Sequence, residues 1–157
     1  MRLSATALLA SVSLMAAAQG APDPQPHQKP GLWREDVTLA GHTTTMHVCL
    51  DTAAEAQMSV FGSNLARKLC KTSPIAHDPD GSWSATNACA LRPGAKKISR
   101  VVVTGSFDAK LSVVTTSPPG GPVAAAITLT WIGPCKPGQK GGDMILSNGT
   151  KVNLLSH

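Results

Sequence analysis

The chain has 157 residues and a formal charge of +5, with no Tyr, two Phe and three Trp. That is one domain's worth of sequence, enough for a real core. Its basic residues are dispersed apart from Arg67-Lys68-Lys71 and Lys96-Lys97, so with so few aromatics the charge reads as solvation and no nucleic-acid partner is expected.

Residues 1–20 read as a signal peptide. Arg2 supplies the positive start, Leu3 to Met15 is apolar or small, and Ala16-Ala17-Ala18 and Ala18-Gln19-Gly20 both offer cleavage sites. Cleavage is expected near Ala18 or Gly20. The apolar run is too short and too rich in Ala and Ser to span a bilayer well, so no stable membrane span is expected after cleavage. No Cys follows it for lipid attachment. The expected location is periplasmic. Residues 21–29 are Pro-rich and polar and read as a flexible leader. Residues 30–157 are then a single β-rich domain.

Pro30-Gly31 starts the first strand, in which Trp33, Val37 and Leu39 share a face and Glu35 falls among them. A carboxylate on the Trp face has two explanations. Either the strand twists at a sheet edge and lets Glu35 reach water, or the group points into a cavity. Gly41-His42 turns the chain, and Thr44, Met46, Val48 and Leu50 alternate along a second strand with His47 and Cys49 opposite. Asp51-Thr52 then opens a helix over about residues 52–66. Thr52 and Glu55 have capping-box spacing, and Ala54, Met58, Phe61 and Leu65 form an apolar stripe. Gly62 weakens this helix, and Arg67 and Lys68 suit its C-terminal dipole.

Leu69 to Leu91 reads as two strands about an Asp78-Pro79-Asp80-Gly81 turn. Four cysteines in an exported chain point to two disulfides. Cys70 and Cys89 are equidistant from the turn's midpoint, so an unbulged antiparallel hairpin sets them opposite each other and favours Cys70–Cys89. That leaves Cys49–Cys135. A rival Cys49–Cys70 bridge would bracket a helix roughly 22 Å long, and four residues retrace at most about 14 Å.

Beyond the hairpin, residues 93–97 form a loop, and strands are expected at Ile98–Thr104, Lys110–Thr116 and Ala124–Ile132, with a hard break at residues 118–122. A Gly-rich loop spans residues 133–142, and Met144–Leu146 and Lys151–Leu154 flank Asn148-Gly149, a two-residue hairpin signal. The predicted fold is mainly β: an antiparallel meander curled into a half-open barrel or sandwich, with one α-helix packed on the sheet.

Little in the chain suggests catalysis. No G-x-S-x-G occurs and the cysteines are assigned to bridges. His27 lies in the leader and His157 is the last residue. His42 and His47 fall on opposite faces of a strand, and they and His77 read as surface groups. There is no C-x-x-C pair for zinc. Residues 138–143 lack phosphate-loop spacing. The chain is therefore expected not to be an enzyme, with no catalytic residue, metal or cofactor.

Lys29-Pro30-Gly31-Leu32-Trp33, Val48-Cys49-Leu50 and residues 133–143, Gly-Pro-Cys-Lys-Pro-Gly-Gln-Lys-Gly-Gly-Asp, resemble the family called domain of unknown function 3617. These are small exported proteins of Gram-negative bacteria. The chain departs from the pattern in carrying Arg34-Glu35 after the Trp. The resemblance implies a periplasmic location and supplies no activity. The expected function is binding of a small apolar ligand, with Trp33, Glu35, Trp83 and Trp131 as candidate lining residues, or envelope maintenance. The alternative is a structural or interaction module contacting another cell-envelope protein.

Overall fold

Residues 25–62, 69–92 and 94–156 are described in a computed structural model. The expected signal peptide lies outside these, as do the expected helical positions 63–66 and the pair Arg67-Lys68. Ten strands follow in chain order: β1 Gly31–Leu39, β2 His42–Leu50, β3 Cys70–Thr72, β4 Ala76–His77, β5 Trp83–Arg92, β6 Ala95–Ser106, β7 Lys110–Thr116, β8 Val123–Gly133, β9 Asp143–Ile145 and β10 Lys151–Asn153. Helix α1 is Thr52–Met58. The strands make one antiparallel sheet in the order β10-β9-β2-β1-β8-β7-β6-β5-β3, with β4 also on β5. The sheet does not close into a barrel, and among the described residues there is no second sheet for a sandwich. Of the two expected forms, the half-open one is correct.

Period-two alternation fixes which residues meet on the concave face. One row across it runs Met46, Glu35, Leu129 and Leu111; the next runs Thr44, Val37, Ile127, Val113, Val103 and Trp83. The core gathers there, with Trp33, Val48, Phe61, Val103 and Leu111 fully buried. The strand β1 lies between β2 and β8, so Glu35 is not at a sheet edge. Of the two explanations for its place, the structure shows the cavity.

Several local expectations are corrected. The helix ends at Met58, and its N-cap is Asp51, whose Oδ1 accepts from the Ala54 amide at 2.7 Å. Thr52 is therefore already inside the helix and no capping box forms, because an Asp one residue earlier takes the cap. Glu55 is free to face His27 Nδ1 at 2.8 Å. Phe61 reaches the core from the turn beyond the helix, and Gly62, at φ +152°, lies past the helix end rather than within it. The first hairpin turns on Ala40-Gly41, both at positive φ, with Leu39 paired to His42. This is the two-residue connection that suits strand twist.

The leader is also corrected over its described part, residues 25–29. It crosses the concave side instead of trailing free. The Lys29 amide donates to Phe107 O at 2.9 Å, and the Trp33 indole donates to Lys29 O at 2.9 Å. Gln28 is 4% exposed. The Lys29 ammonium sits 4.0 Å from the Trp131 ring. Burial of Trp33 needs a partner for its indole N–H, and the leader backbone provides one.

Both disulfides form as favoured, Cys49–Cys135 and Cys70–Cys89. The hairpin reaches the second pairing by an unforeseen route. His77 pairs with Trp83, leaving five residues in the loop, while Cys70 pairs with Cys89. One extra residue in the Ser73-Pro74-Ile75 stretch absorbs the offset. Ser73 holds that bulge with both ends: its amide donates to Thr86 O at 2.8 Å and its Oγ accepts from the Thr86 amide at 2.9 Å.

Candidate functional site

A cavity of about 600 Å³ lies between the concave face and the end of α1 with the segment that follows it. Its floor is built by alternation: Leu50 from β2, Glu35 from β1, Ile127 and Leu129 from β8, Val113 from β7 and Val101 from β6. Residues 57–62 form the lid, Gln28 comes from the leader, and Leu154 and Leu155 come from beyond β10. A second hollow of about 450 Å³ lies outside the lid, near His27, Glu55 and Ile75, and shares Ser59, Phe61 and Gly62 with the first. A thin strip of chain thus separates the two spaces.

The cavity walls are mostly apolar, so the polar groups in them stand out. Asn87 is already engaged: its Oδ1 accepts from Thr72 Oγ1 at 2.6 Å and its Nδ2 donates to Phe61 O at 3.2 Å. Those bonds fix the lid to β5. Gln28 is different, because its Nε2 is buried with no hydrogen-bond partner. Glu35 is half-buried, since its remaining accessible surface faces the cavity. Loss of bulk water pushes its carboxyl up from the ordinary 4.5 to about 7. Its strand neighbours on that face, Met46 and Leu129, are apolar. Trp33 and Glu35 are successive residues on one face of β1, about 7 Å apart. Trp33 bonds the residue after Gln28, and Gln28 and Glu35 both line the cavity.

A buried carboxylate anchors the chain segment that carries Leu154 and Leu155. Asp143 accepts from Lys151 Nζ at 2.7 Å, Asn153 Nδ2 at 2.8 Å and the Lys140 amide at 2.9 Å. These three donors hold its carboxyl well below the usual carboxylate range. The Leu154 amide then donates to Gly142 O at 3.0 Å, and Gly142 leaves room for Leu155. The Gly-rich loop over residues 138–143 is therefore a clasp for the C-terminal hairpin. In that hairpin Asn148 is not half of a two-residue turn: its Oδ1 accepts from the Thr150 amide, and Gly149 alone takes positive φ, at +83°.

The sequence candidates separate cleanly. Glu35 lines the cavity; Trp33, Trp83 and Trp131 do not. Trp33 is sealed under the leader, Trp83 stacks on His77 at 4.3 Å between centroids, and Trp131 bonds Pro30 O at 3.2 Å. Each indole is used to hold a neighbouring segment. Gln28 was missed because nothing in a Pro-rich leader marks one Gln as buried. Leu154 and Leu155 were visible as apolar, but their place depends on the Asp143 clasp. Among the described residues, no three His, Cys, Asp or Glu side chains converge on a point that could hold a metal ion, and no helix is long and apolar enough to cross a membrane.

The sequence model of a family described as "Protein of unknown function (DUF3617)" matches residues 28–135. The match runs from Gln28 to Cys135 and so includes the leader contact, the concave face and all four cysteines. No curated protein and no solved structure matches the chain.

Proposed function

The chain belongs to the family described as "Protein of unknown function (DUF3617)", and we propose that it is a non-enzymatic binding protein that holds a small apolar ligand in the cavity under the 57–62 lid. The observation that carries this reading is the cavity itself. About 600 Å³ of mostly apolar space lies in the range that small-molecule sites occupy. A few polar groups set among aliphatic walls are what such sites use to orient a ligand. A binding role is favoured over catalysis because Glu35 faces no second titratable group among the described lining residues. The two disulfides are consistent with an exported protein, and we place its action in the periplasm, where it would serve envelope maintenance by carrying or sequestering such a ligand.

The rival reading, a module that docks to another envelope protein by its sheet edge, has less support. The terminal strands β3 and β10 are three residues each, and short edges are poor templates for strand addition. Titration of the oxidised protein with N-phenylnaphthylamine, an uncharged fluorophore that brightens in apolar surroundings, tests the binding reading. The expected result is saturable one-to-one binding, lost when Ile127→Trp fills the floor while the circular dichroism spectrum is unchanged. No fluorescence gain with the folded wild type would overturn it.

A further inference from the structure

Two polar groups in the cavity have no partner, and they constrain what the cavity can hold. Gln28 Nε2 is a donor without an acceptor, in a side chain 4% exposed. An orphaned buried donor is rare and usually marks a missing partner. Glu35 makes no hydrogen bond or ion pair to any other described residue. Resting on the binding reading above, we propose that the ligand is a long-chain carboxylic acid, its head group set between Gln28 and Glu35 and its hydrocarbon chain along Leu129, Ile127 and Val113.

The argument runs through hydrogen-bond valence. A turn of the Gln28 amide brings its unpartnered Nε2 toward the head group, where it calls for an acceptor. An ammonium head offers only donors, whereas a carboxylate offers acceptors to Gln28 and to Glu35 once Glu35 is protonated. Two carboxylates side by side in apolar surroundings cannot both ionise, so one proton is held between them. Burial already moves Glu35 to about 7, so near neutral pH this proton is close to being bound before the ligand arrives. Binding from solution well above pH 7 then takes up one proton from the solvent, onto Glu35, and about half of one at pH 7.

Among the described residues that line the cavity, no other charge intervenes. The segments around Glu35 present Gln28, Leu50, Met58, Phe61, Asn87 and Leu129, none of them ionisable. His27 and Glu55 face each other at 2.8 Å, and Glu55 and His27 line the outer hollow rather than this cavity. Arg34 and Asp36 lie on the opposite face of β1, paired at 3.0 Å.

Isothermal titration calorimetry of the oxidised protein with dodecanoic acid, dodecanol and dodecylamine between pH 6 and 9 tests this. The acid should bind more tightly than the amine. Its affinity should fall above pH 7 with a limiting slope of about tenfold per pH unit, the signature of one linked proton. Comparison of two buffers with different ionisation enthalpies should show uptake of one proton at pH 9, falling toward none at pH 6. Glu35→Gln, which always offers a donor, should keep binding and flatten the pH profile. Tighter binding of the amine that strengthens as pH rises, or pH-independent binding of the acid by the wild type, would overturn the head-group assignment. Binding of dodecanol but not of dodecanoic acid would also overturn it while leaving the binding reading intact. If all three ligands and N-phenylnaphthylamine fail to bind, both fall together.

Discussion

Replacing Glu35 by Gln should stabilise the protein at pH 8 and leave it nearly unchanged at pH 4. The carboxyl of Glu35 is raised from 4.5 to about 7 by burial. Below pH 4.5 both folded and unfolded chains hold the proton, and the wild type bears no penalty. Between 4.5 and 7 the unfolded chain ionises at this position while the folded one does not, so stability falls as pH rises. Above 7 both are ionised and the loss is constant. Each pH unit between the two values is worth about 1.4 kcal/mol, which sets an upper bound of about 3 kcal/mol. Water entering the half-open cavity lowers this, so a gain of about 1–3 kcal/mol is expected for the neutral isostere at pH 8. Urea denaturation with both disulfides intact, for both proteins at pH 4, 6 and 8, gives the difference directly. Comparison with the wild type cancels the other carboxylates, Asp143 among them, which lose their bonds in acid in both proteins. A difference that is the same at pH 4 and 8, or a variant less stable at pH 8, would show that Glu35 is not held in an apolar space.

Two further perturbations read the frame around the cavity. Separate removal of the two bridges should cost about 3 kcal/mol for Cys70–Cys89 and about 4.5 kcal/mol for Cys49–Cys135 by loop-closure entropy, since their sequence separations are 19 and 86; equal urea midpoints for Cys70→Ala and Cys49→Ala would refute that ordering. Gly31→Ala should destabilise by more than about 1 kcal/mol, because φ there is +140° and an added Cβ would collide with the Trp131 indole and Gly133 O; thermal unfolding followed by tryptophan fluorescence checks it, and an unchanged midpoint would show that the leader does not need this close approach.

What the sequence made legible follows from the range over which each signal acts. Alternation in β1, β2, β7 and β8 is local and strong, so the strands and the faces of Trp33, Leu129 and Val113 could be read directly. The Cys70–Cys89 pairing was right through two deviations that cancel: a five-residue turn and a bulge at residues 73–75. Pro74 lacks an amide to donate and Ser73 supplies a hydroxyl in the ladder, so the bulge was encoded, but by chemistry that symmetry counting ignores. The helix was drawn too long because the stripe of Ala54, Met58 and Phe61 continues in space after the helix has ended. Gln28 and the three tryptophans were misplaced for one shared reason. Whether an indole lines a cavity or ties down a neighbouring segment depends on where the leader lies, and tertiary packing alone fixes that.

The cavity itself follows from the composition. A curved ten-stranded sheet needs large side chains to fill its concave side, and this chain has only two Phe and three Trp. The tryptophans stand near the ends of their strands, where they join the margin of the core and hold neighbouring segments. Rows on the concave face carry Ala85, Ala125 and Thr115 beside Val101, and the only helix among the described residues is seven residues long and buries Ala54. Small residues on a strongly curved surface, covered by a short helix and a strip of chain, cannot reach the packing density of a filled interior. The space persists because the cover is fastened at its margins, by Asn87 at Phe61, by the Asp143 clasp behind Leu155, and by the leader hydrogen bonds over Trp33. In a filled core Glu35 would have no space in front of it; here its carboxyl faces the remaining volume. The thin aromatic content, the two covalent staples and the off-pattern carboxylate are thus three consequences of one arrangement, a sheet held open rather than packed shut.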